Sequence, residues 1–129
     1  MSESAVPPTC IFCVRAHALA GDATAFAIPD EFPVAAGHTL VVLTRHESSL
    51  LRTTPEEWQE VWALVRAEAA RISKTPAIDG VNIGVNIGAA AGQTVDHAHI
   101  HVIPRTIGDS PDPRGGVRRI LDDGTLYNG

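Results

Sequence analysis

Three short segments of the chain carry the hydrophobic pattern of β-strands. Residues 38–44 (HTLVVLT) are rich in leucine and β-branched residues and follow the turn signal Ala36-Gly37. In residues 79–88 (DGVNIGVNIG), valine and isoleucine alternate with asparagine and glycine, so the polar side chains share one face. Residues 95–103 also alternate, and one of their faces carries a histidine at every second position. We therefore predict three strands, two of them with a polar face.

A long amphipathic helix is predicted between the first two strands. Thr54 is suited to the N-cap, Pro55 to the first helical position, and Glu57 completes a capping box. The apolar residues that follow recur at helical spacing and predict a buried stripe: Trp58, Val61, Trp62, Val65, Ala69 and Ile72.

Composition limits the class of protein. The 129 residues, 44% hydrophobic and 19% charged, fit one globular domain, and no apolar run has the roughly 20 residues that cross a bilayer. The net charge of −5 argues against nucleic acid or an anionic membrane as a partner. The first ten residues, MSESAVPPTC, lack the features of a secretory signal, which predicts a cytoplasmic location.

The three histidines of the last strand, His97, His99 and His101, form the main candidate site. Residues at every second position of a strand lie about 6.6 Å apart on one face. Each imidazole taken singly could be a satisfied polar residue, but three in register favour chemistry. They could bind a metal that activates water, or one could attack phosphorus while its neighbours hold the phosphate. The donors nearby, Asn82, Asn86, Gln93 and the amides near Gly92, favour the second option.

The two cysteines, Cys10 and Cys13, form a C-x-x-C pair. In a reducing compartment a structural disulfide is the less expected interpretation. Half of a zinc site, a redox pair and two small apolar side chains all remain open from the spacing.

The sequence His97-Ala98-His99-Ile100-His101-Val102-Ile103 has the form His-φ-His-φ-His-φ-φ, in which φ is apolar. With the surrounding NIGAAAGQTVDHAHIHVIPR and the upstream FPVAAGHTLVV, it resembles the histidine triad family. The segment IGDSPDPRGGVR resembles tails of the bacterial branch that hydrolyses dinucleoside polyphosphates. The resemblance implies an α+β fold, with an antiparallel sheet flanked by one long helix and a shorter one, and a homodimer. Residues 1–129 then form a single domain, with a flexible N-terminus at 1–9 and a C-terminal tail at 106–129.

The resemblance also implies roles for individual residues. His99 is the expected nucleophile, and a backbone carbonyl is expected to accept the proton on its Nδ1. His97, His101 and His38 complete the catalytic set, and Asp30 is expected to accept the ribose hydroxyls. The residues expected to contact phosphate are Asn82, Asn86, Gln93 and Thr94. Those expected to contact a purine base are Ile11, Phe12, Ile28, Leu40 and Val95.

Zinc-binding members of the family imply a ligand set of Cys10, Cys13, His46 and His97. This Cys₂His₂ set would form a closed structural zinc site, and no organic cofactor is expected. The arginines of the tail, among them Arg105 and Arg114, could contact polyphosphate or solvent.

The predicted function is hydrolysis of a nucleoside 5′-phosphoryl conjugate at the α-phosphate through a covalent nucleotidyl-histidine. The conjugate is a dinucleoside polyphosphate or a nucleoside phosphoramidate, and these are not distinguished. Two other classes stay open, a zinc-dependent hydrolase with three histidine ligands and a nucleotide-binding module without turnover.

Overall fold

The computed structural model describes residues 10–121, so the expectations for residues 1–9 and for the end of the tail, 122–129, lie outside the described residues. Residues 10–121 form two α-helices and four strands. In chain order these are α1 (Ile11–Leu19), β1 (Ala25–Pro29), β2 (Thr39–Leu43), α2 (Pro55–Ser73), β3 (Gly80–Gly84) and β4 (His99–Arg105). Short 3₁₀ turns lie at Leu50–Arg52, Ala89–Ala91 and Gly116–Ile120. This confirms the predicted α+β class.

The strands form one antiparallel sheet in the order β1-β2-β4-β3. In the two central strands Leu40 pairs with His101 and Val42 pairs with His99. Because side chains alternate along a strand, these four residues share one face. The sheet therefore presents His99 and His101 beside the apolar residues of β2.

The two helices cover opposite faces of the sheet. On one face, Val61, Val65 and Ile72 of α2 belong to the same buried cluster as Val41 and Ile100. On the face that carries the histidines, Phe12 and Ala16 of α1 pack with Phe26, Ile28 and Val42. Since α1 is short, part of this second face is left open next to β4.

Helix α2 begins as the sequence predicts. The Glu57 amide donates to Thr54 Oγ1 over 3.1 Å, and the Thr54 amide donates to Glu57 Oε1 over 2.8 Å, which forms the capping box. Val61, Val65 and Ile72 of the predicted stripe are buried, whereas Trp58 is 41% exposed. Within residues 10–121, no helix is long and apolar enough to cross a membrane.

The last predicted strand differs at both ends. It extends over His99–Arg105 instead of 95–103, because the chain bends before it. The His97 amide donates to the Val95 carbonyl over 2.8 Å, and the Ala98 amide donates to the Glu47 carbonyl over 2.7 Å. The Ala98 carbonyl still accepts the Leu43 amide over 3.1 Å, but residues 95–97 lie outside the ladder, so His97 does not continue the row formed by His99 and His101.

The second predicted strand is shorter than expected and ends at Gly84. Val81 and Val85 pack against the α2 core, as the alternation predicts, but Ile83 is 40% exposed because β3 lies at the edge of the sheet. Beyond it, Gly88 has φ 92°, a left-handed conformation that begins the turn leading to β4.

Candidate functional site

A cavity of about 370 Å³ opens on the face of the sheet that α1 covers only in part. Its apolar wall contains all five residues predicted to contact a base: Ile11, Phe12, Ile28, Leu40 and Val95. Its predicted polar residues are Asp30, His38, Asn86, Thr94, His99 and His101. An apolar cleft with a few converging polar groups is typical of a small-molecule site.

His99 has a fixed orientation in this cavity. Its Nδ1 lies 2.8 Å from the His97 carbonyl oxygen, and the ring is only 8% exposed. Since a carbonyl can only accept, the proton of the neutral ring resides on Nδ1. The Phe12 ring packs edge-on at 5.0 Å between ring centroids. The arrangement leaves the Nε2 lone pair available to an electrophile.

His38 and His101 form a second directed contact. The Val34 amide donates to His38 Nδ1 over 3.1 Å, so neutral His38 carries its proton on Nε2. That nitrogen lies 2.9 Å from His101 Nδ1 and 3.2 Å from Asp30 Oδ2. When His38 donates to His101 Nδ1, the His101 proton resides on Nε2. His101 is then a neutral hydrogen-bond donor.

The protonation of His101 is set by its surroundings. Burial lowers the pKa of His101, and the nearby His99 and His38 lower it further, while the Asp30 carboxylate acts in the opposite direction. The neutral ring is therefore the favoured form near pH 7.

Asp30 lies between the histidines and the loop that follows β1. Its Oδ1 accepts the Phe32 amide over 2.8 Å, and its Oδ2 lies 3.8 Å from His101 Nδ1. The side chain is 15% exposed and lines the cavity. A carboxylate held in this way keeps lone pairs for hydroxyl groups of a ligand.

His97 faces away from the cavity and is fully buried. Its Nε2 lies 2.6 Å from the Leu43 carbonyl oxygen and donates to it, which leaves a lone pair on Nδ1. That Nδ1 lies 3.4 Å from Cys10 Sγ, 3.5 Å from Cys13 Sγ and 3.2 Å from His46 Nδ1. His97 therefore belongs to a cluster with Cys10, Cys13 and His46.

This Cys₂His₂ cluster has the geometry of a tetrahedral metal site. Its four donor atoms all lie within 4.8 Å of one another. Zinc–nitrogen and zinc–sulfur bonds of about 2.0 and 2.3 Å place neighbouring tetrahedral donors about 3.3 to 3.8 Å apart, close to the distances here. The carbonyl bond at His97 Nε2 orients the ring as partners of zinc-binding histidines do. These residues fit a zinc ion.

The buried Cys13 thiol needs a nearby cation to ionise near neutral pH. Burial raises the pKa of the Cys13 thiol to about 12, and Cys10 contributes through its hydrogen bond and charge. A divalent cation at this point offsets that cost because it stabilises the thiolate.

Asn82 and Gln93, predicted to contact phosphate, lie outside the cavity. Asn82 lies in the middle of β3 and accepts from Arg105 over 2.7 Å. The Gln93 amide donates to the Ser48 and Val95 carbonyls over 2.8 and 3.0 Å, and its oxygen accepts the Gly88 amide over 2.9 Å. Its hydrogen bonds stabilise the loop before β4.

Arg105 and Arg114, two of the arginines considered for polyphosphate, form ion pairs away from the cavity. Arg105 pairs with Asp109 over 2.8 Å, and Arg114 pairs with Asp112 over 2.9 Å. Neither lines the cavity.

Besides Pro29 at the end of β1, four cavity residues were not predicted from the sequence: Arg15, Glu31, Phe32 and Val34. Arg15 follows Ile11 by one helical turn, so helical spacing could have placed it there. The other three lie in an irregular loop, where periodicity gives no signal.

Comparisons with known proteins agree with this fold. The chain matches the HIT domain family model over residues 14–107. It is 35% identical over 109 residues to an uncharacterised HIT-like protein of Mycoplasma genitalium, covering 80% of this chain and 77% of that protein. A HIT family protein structure from Bacillus anthracis has a TM-score of 0.72 at 32% identity, covering 81% of this chain and 78% of that one.

Other similar proteins have names that describe a ligand or an activity. A zinc-bound histidine triad family structure from Mycobacterium smegmatis is 36% identical, with a TM-score of 0.65, covering 81% of this chain and 84% of that one. An adenylylsulfatase of Arabidopsis thaliana is 33% identical, covering 81% of this chain and 56% of that protein. An asymmetrical bis(5′-nucleosyl)-tetraphosphatase of Schizosaccharomyces pombe is 39% identical over 77 residues, covering 60% of this chain and 42% of that protein.

Proposed function

The chain belongs to the HIT domain family, and from this premise we propose that it hydrolyses a nucleoside 5′-phosphoryl conjugate at the α-phosphorus. Relatives named as an adenylylsulfatase and a tetraphosphatase support a nucleotide substrate. The observation that carries the proposal is the bond from His99 Nδ1 to the His97 carbonyl, which leaves Nε2 as a lone-pair donor in the cavity.

The cavity supplies separate environments for the parts of a nucleotide. The apolar wall formed by α1, β1 and β2 accommodates a purine base, and the Asp30 carboxylate accepts the ribose hydroxyls. Asn86 and Thr94 line the same cavity as His99 and His101, and we assign these four residues to the α-phosphate.

The reaction proceeds in two steps. His99 Nε2 attacks the α-phosphorus, a phosphorus–nitrogen bond forms, and the bond to the leaving group breaks with its electron pair. The leaving group takes up a proton from solvent. Water then attacks the same phosphorus and loses a proton, and the phosphorus–nitrogen bond breaks. This releases the nucleoside monophosphate and restores neutral His99.

Two hydrogen bonds assist these steps. The His97 carbonyl accepts a hydrogen bond from the Nδ1–H of His99 and stabilises the positive charge that develops on the ring during attack. His101, with its Nδ1 occupied by His38, donates from Nε2 to a phosphate oxygen whose negative charge grows in the transition state.

Zinc has a structural role in this proposal. Cys10, Cys13, His46 and His97 would hold it, and when bound it links α1 to the segments that precede α2 and β4. It supplies a cross-link, and His99 and His101 remain outside its ligand set.

A homodimer is also part of the proposal. Among residues 10–121, β3 has no strand on its outer edge; it carries the 40% exposed Ile83, and α2 carries the 41% exposed Trp58. An exposed sheet edge and exposed apolar side chains both suit contact with a second copy. Sedimentation should give about twice the 13.7 kDa chain mass, and one chain mass at assay concentrations would contradict this.

The rival metal-hydrolase mechanism, with three histidine ligands, is less compatible with the geometry. It requires His97, His99 and His101 to converge on one ion, whereas the Nδ1 of His97 faces the cysteines and that of His99 is bonded to a carbonyl. The two mechanisms predict different responses to chelation, since the covalent route needs no metal at the reacting phosphorus.

A substrate panel tests the proposal. Diadenosine polyphosphates and adenosine phosphoramidates should be assayed with wild-type protein and His99→Asn. We expect the wild type to release adenosine monophosphate from at least one class, and His99→Asn to bind the same conjugate with turnover reduced at least about 10³-fold. Binding without turnover by the wild type would instead support a nucleotide-binding module.

A further inference from the structure

A charged pair lies in the otherwise apolar part of the cavity wall. Arg15 Nη1 and Glu31 Oε1 are 3.5 Å apart, and both residues line the cavity. Their side chains are 37% and 63% exposed, so the pair lies at the cavity mouth. One residue comes from α1 and the other from the loop after β1.

The position of the pair places it at the base end of the site. Arg15 lies one helical turn after Ile11 on α1, and Ile11 belongs to the apolar wall. Glu31 directly follows Asp30, the residue assigned to the ribose. His99 and His101, which contact the phosphate, lie on β4.

We propose that Arg15 and Glu31 contact the edge of the nucleobase and make the site select guanine over adenine. The inference rests on the proposed function, because it assumes that a nucleotide occupies the cavity with its base against the apolar wall.

The chemistry of the two bases gives the reason for this preference. A carboxylate accepts two hydrogen bonds side by side, and guanine presents two adjacent donors, N1–H and the N2 amine. The neighbouring O6 accepts from a guanidinium, as it does in arginine contacts to guanine. Adenine offers one donor, the N6 amine, next to the acceptor N1. Guanine therefore makes three matched contacts with the pair and adenine makes two.

The pair can rearrange to meet a base at little cost. Ion pairs that are partly exposed contribute little to stability, since solvent screens them and side-chain freedom is lost on pairing. Arg15 and Glu31 can thus exchange their mutual contact at 3.5 Å for contacts to the base. Once a base excludes solvent from the cavity mouth, those contacts strengthen.

The test compares binding of guanosine, inosine and adenosine 5′-monophosphates by calorimetry. We expect wild-type protein to bind the guanosine nucleotide about tenfold more tightly than the adenosine nucleotide. Inosine monophosphate, which lacks the N2 amine, should fall between them. In Glu31→Gln the guanosine preference should drop to within about twofold of unity, with adenosine monophosphate affinity changed less than the guanosine affinity.

Glu68→Gln is the matched control, because it removes a carboxylate from an exposed pair with Arg71 on α2, outside the cavity that binds the nucleotide. Glu68→Gln should keep the wild-type ratio of guanosine to adenosine monophosphate affinity. Equal wild-type affinities, a preference for adenosine, or an unchanged ratio in Glu31→Gln would overturn the inference and leave the proposed function intact. Failure of all three nucleotides to bind would overturn both.

Discussion

At the residue scale, His97 and His99 direct their free ring nitrogens to different places, because different backbone carbonyls orient the two rings. The Leu43 carbonyl accepts from His97 Nε2, so that ring directs Nδ1 at the thiols. The His97 carbonyl accepts from His99 Nδ1, so that ring keeps Nε2 for the cavity. One hydrogen bond at each ring therefore separates the proposed metal ligand, His97, from the proposed nucleophile, His99.

The assignment of Asp30 can be tested with sugar analogues. Asp30→Ala should weaken the binding of a ribonucleotide by about 1.5 to 3 kcal/mol, because charge-assisted hydrogen bonds to the ribose hydroxyls are lost. The 2′,3′-dideoxy counterpart should lose much less, since it never made those bonds. Calorimetric titration of both ligands checks this, and equal losses would show that Asp30 does not contact the ribose.

The environment of His101 predicts a pH dependence of stability. Burial lowers its pKa in the folded protein, so the unfolded chain binds more protons in this range. The stabilising contribution is full above the unfolded pKa of about 6.5 and is lost as pH falls through the lower folded value. We expect the unfolding free energy of wild-type protein to fall more steeply than that of His101→Gln as pH decreases.

Urea titrations at pH 7.5 and 5.5 provide the measurement, because these values lie about one pH unit on either side of the ordinary histidine pKa of about 6.5. His17→Gln is the control, because His17 is exposed on α1 and has no place in the site. The prediction would be contradicted if the unfolding free energy fell by the same amount between pH 7.5 and 5.5 in wild type and in His101→Gln.

At the scale of elements, the start of α2 is determined by a local motif. Thr54→Ala removes the side-chain acceptor for the Glu57 amide and should cost about 1 kcal/mol of stability. Thr54→Ser keeps the hydroxyl and should remain close to wild type in urea unfolding. If both variants lose the same free energy, the cap is not what stabilises the helix end.

Features set by a few neighbouring residues could be predicted from the sequence, whereas those set by contacts between distant segments could not. Thr54, Pro55 and Glu57 define the helix start within four residues, and the sequence predicted it correctly. The start of β4 depends on the Ala98 amide meeting the Glu47 carbonyl, a contact between distant segments that periodicity does not record. Gln93 lies outside the cavity for a similar reason, because its amide bonds to Ser48, 45 residues away.

At the scale of the whole molecule, the Cys₂His₂ cluster joins parts of the chain that are far apart in sequence. Cys10 and His97 are separated by 87 residues, and His46 follows β2. The segment after His97 carries His99, so the cluster also fixes the start of the strand that bears the proposed nucleophile. A metal here would stabilise the fold and the site together.

Metal analysis tests this connection. Protein as isolated should contain about one zinc per chain, and Cys13→Ser should lose the metal and more than about 2 kcal/mol of stability. Folded Cys13→Ser should retain most of its turnover, because the ion is not at the phosphorus. His17→Ala, an exposed histidine outside the cluster, is the control. Metal-free protein with two freely titratable thiols would contradict the assignment.

The central claim is that His99 attacks the α-phosphorus and carries the nucleotide. Wild-type protein should be denatured at neutral or alkaline pH during turnover of a conjugate that the panel identifies, then digested and analysed by mass spectrometry. We predict a nucleoside monophosphate joined through a phosphorus–nitrogen bond to His99, absent from His99→Asn. An adduct on another residue, or substantial turnover by His99→Asn, would contradict the account.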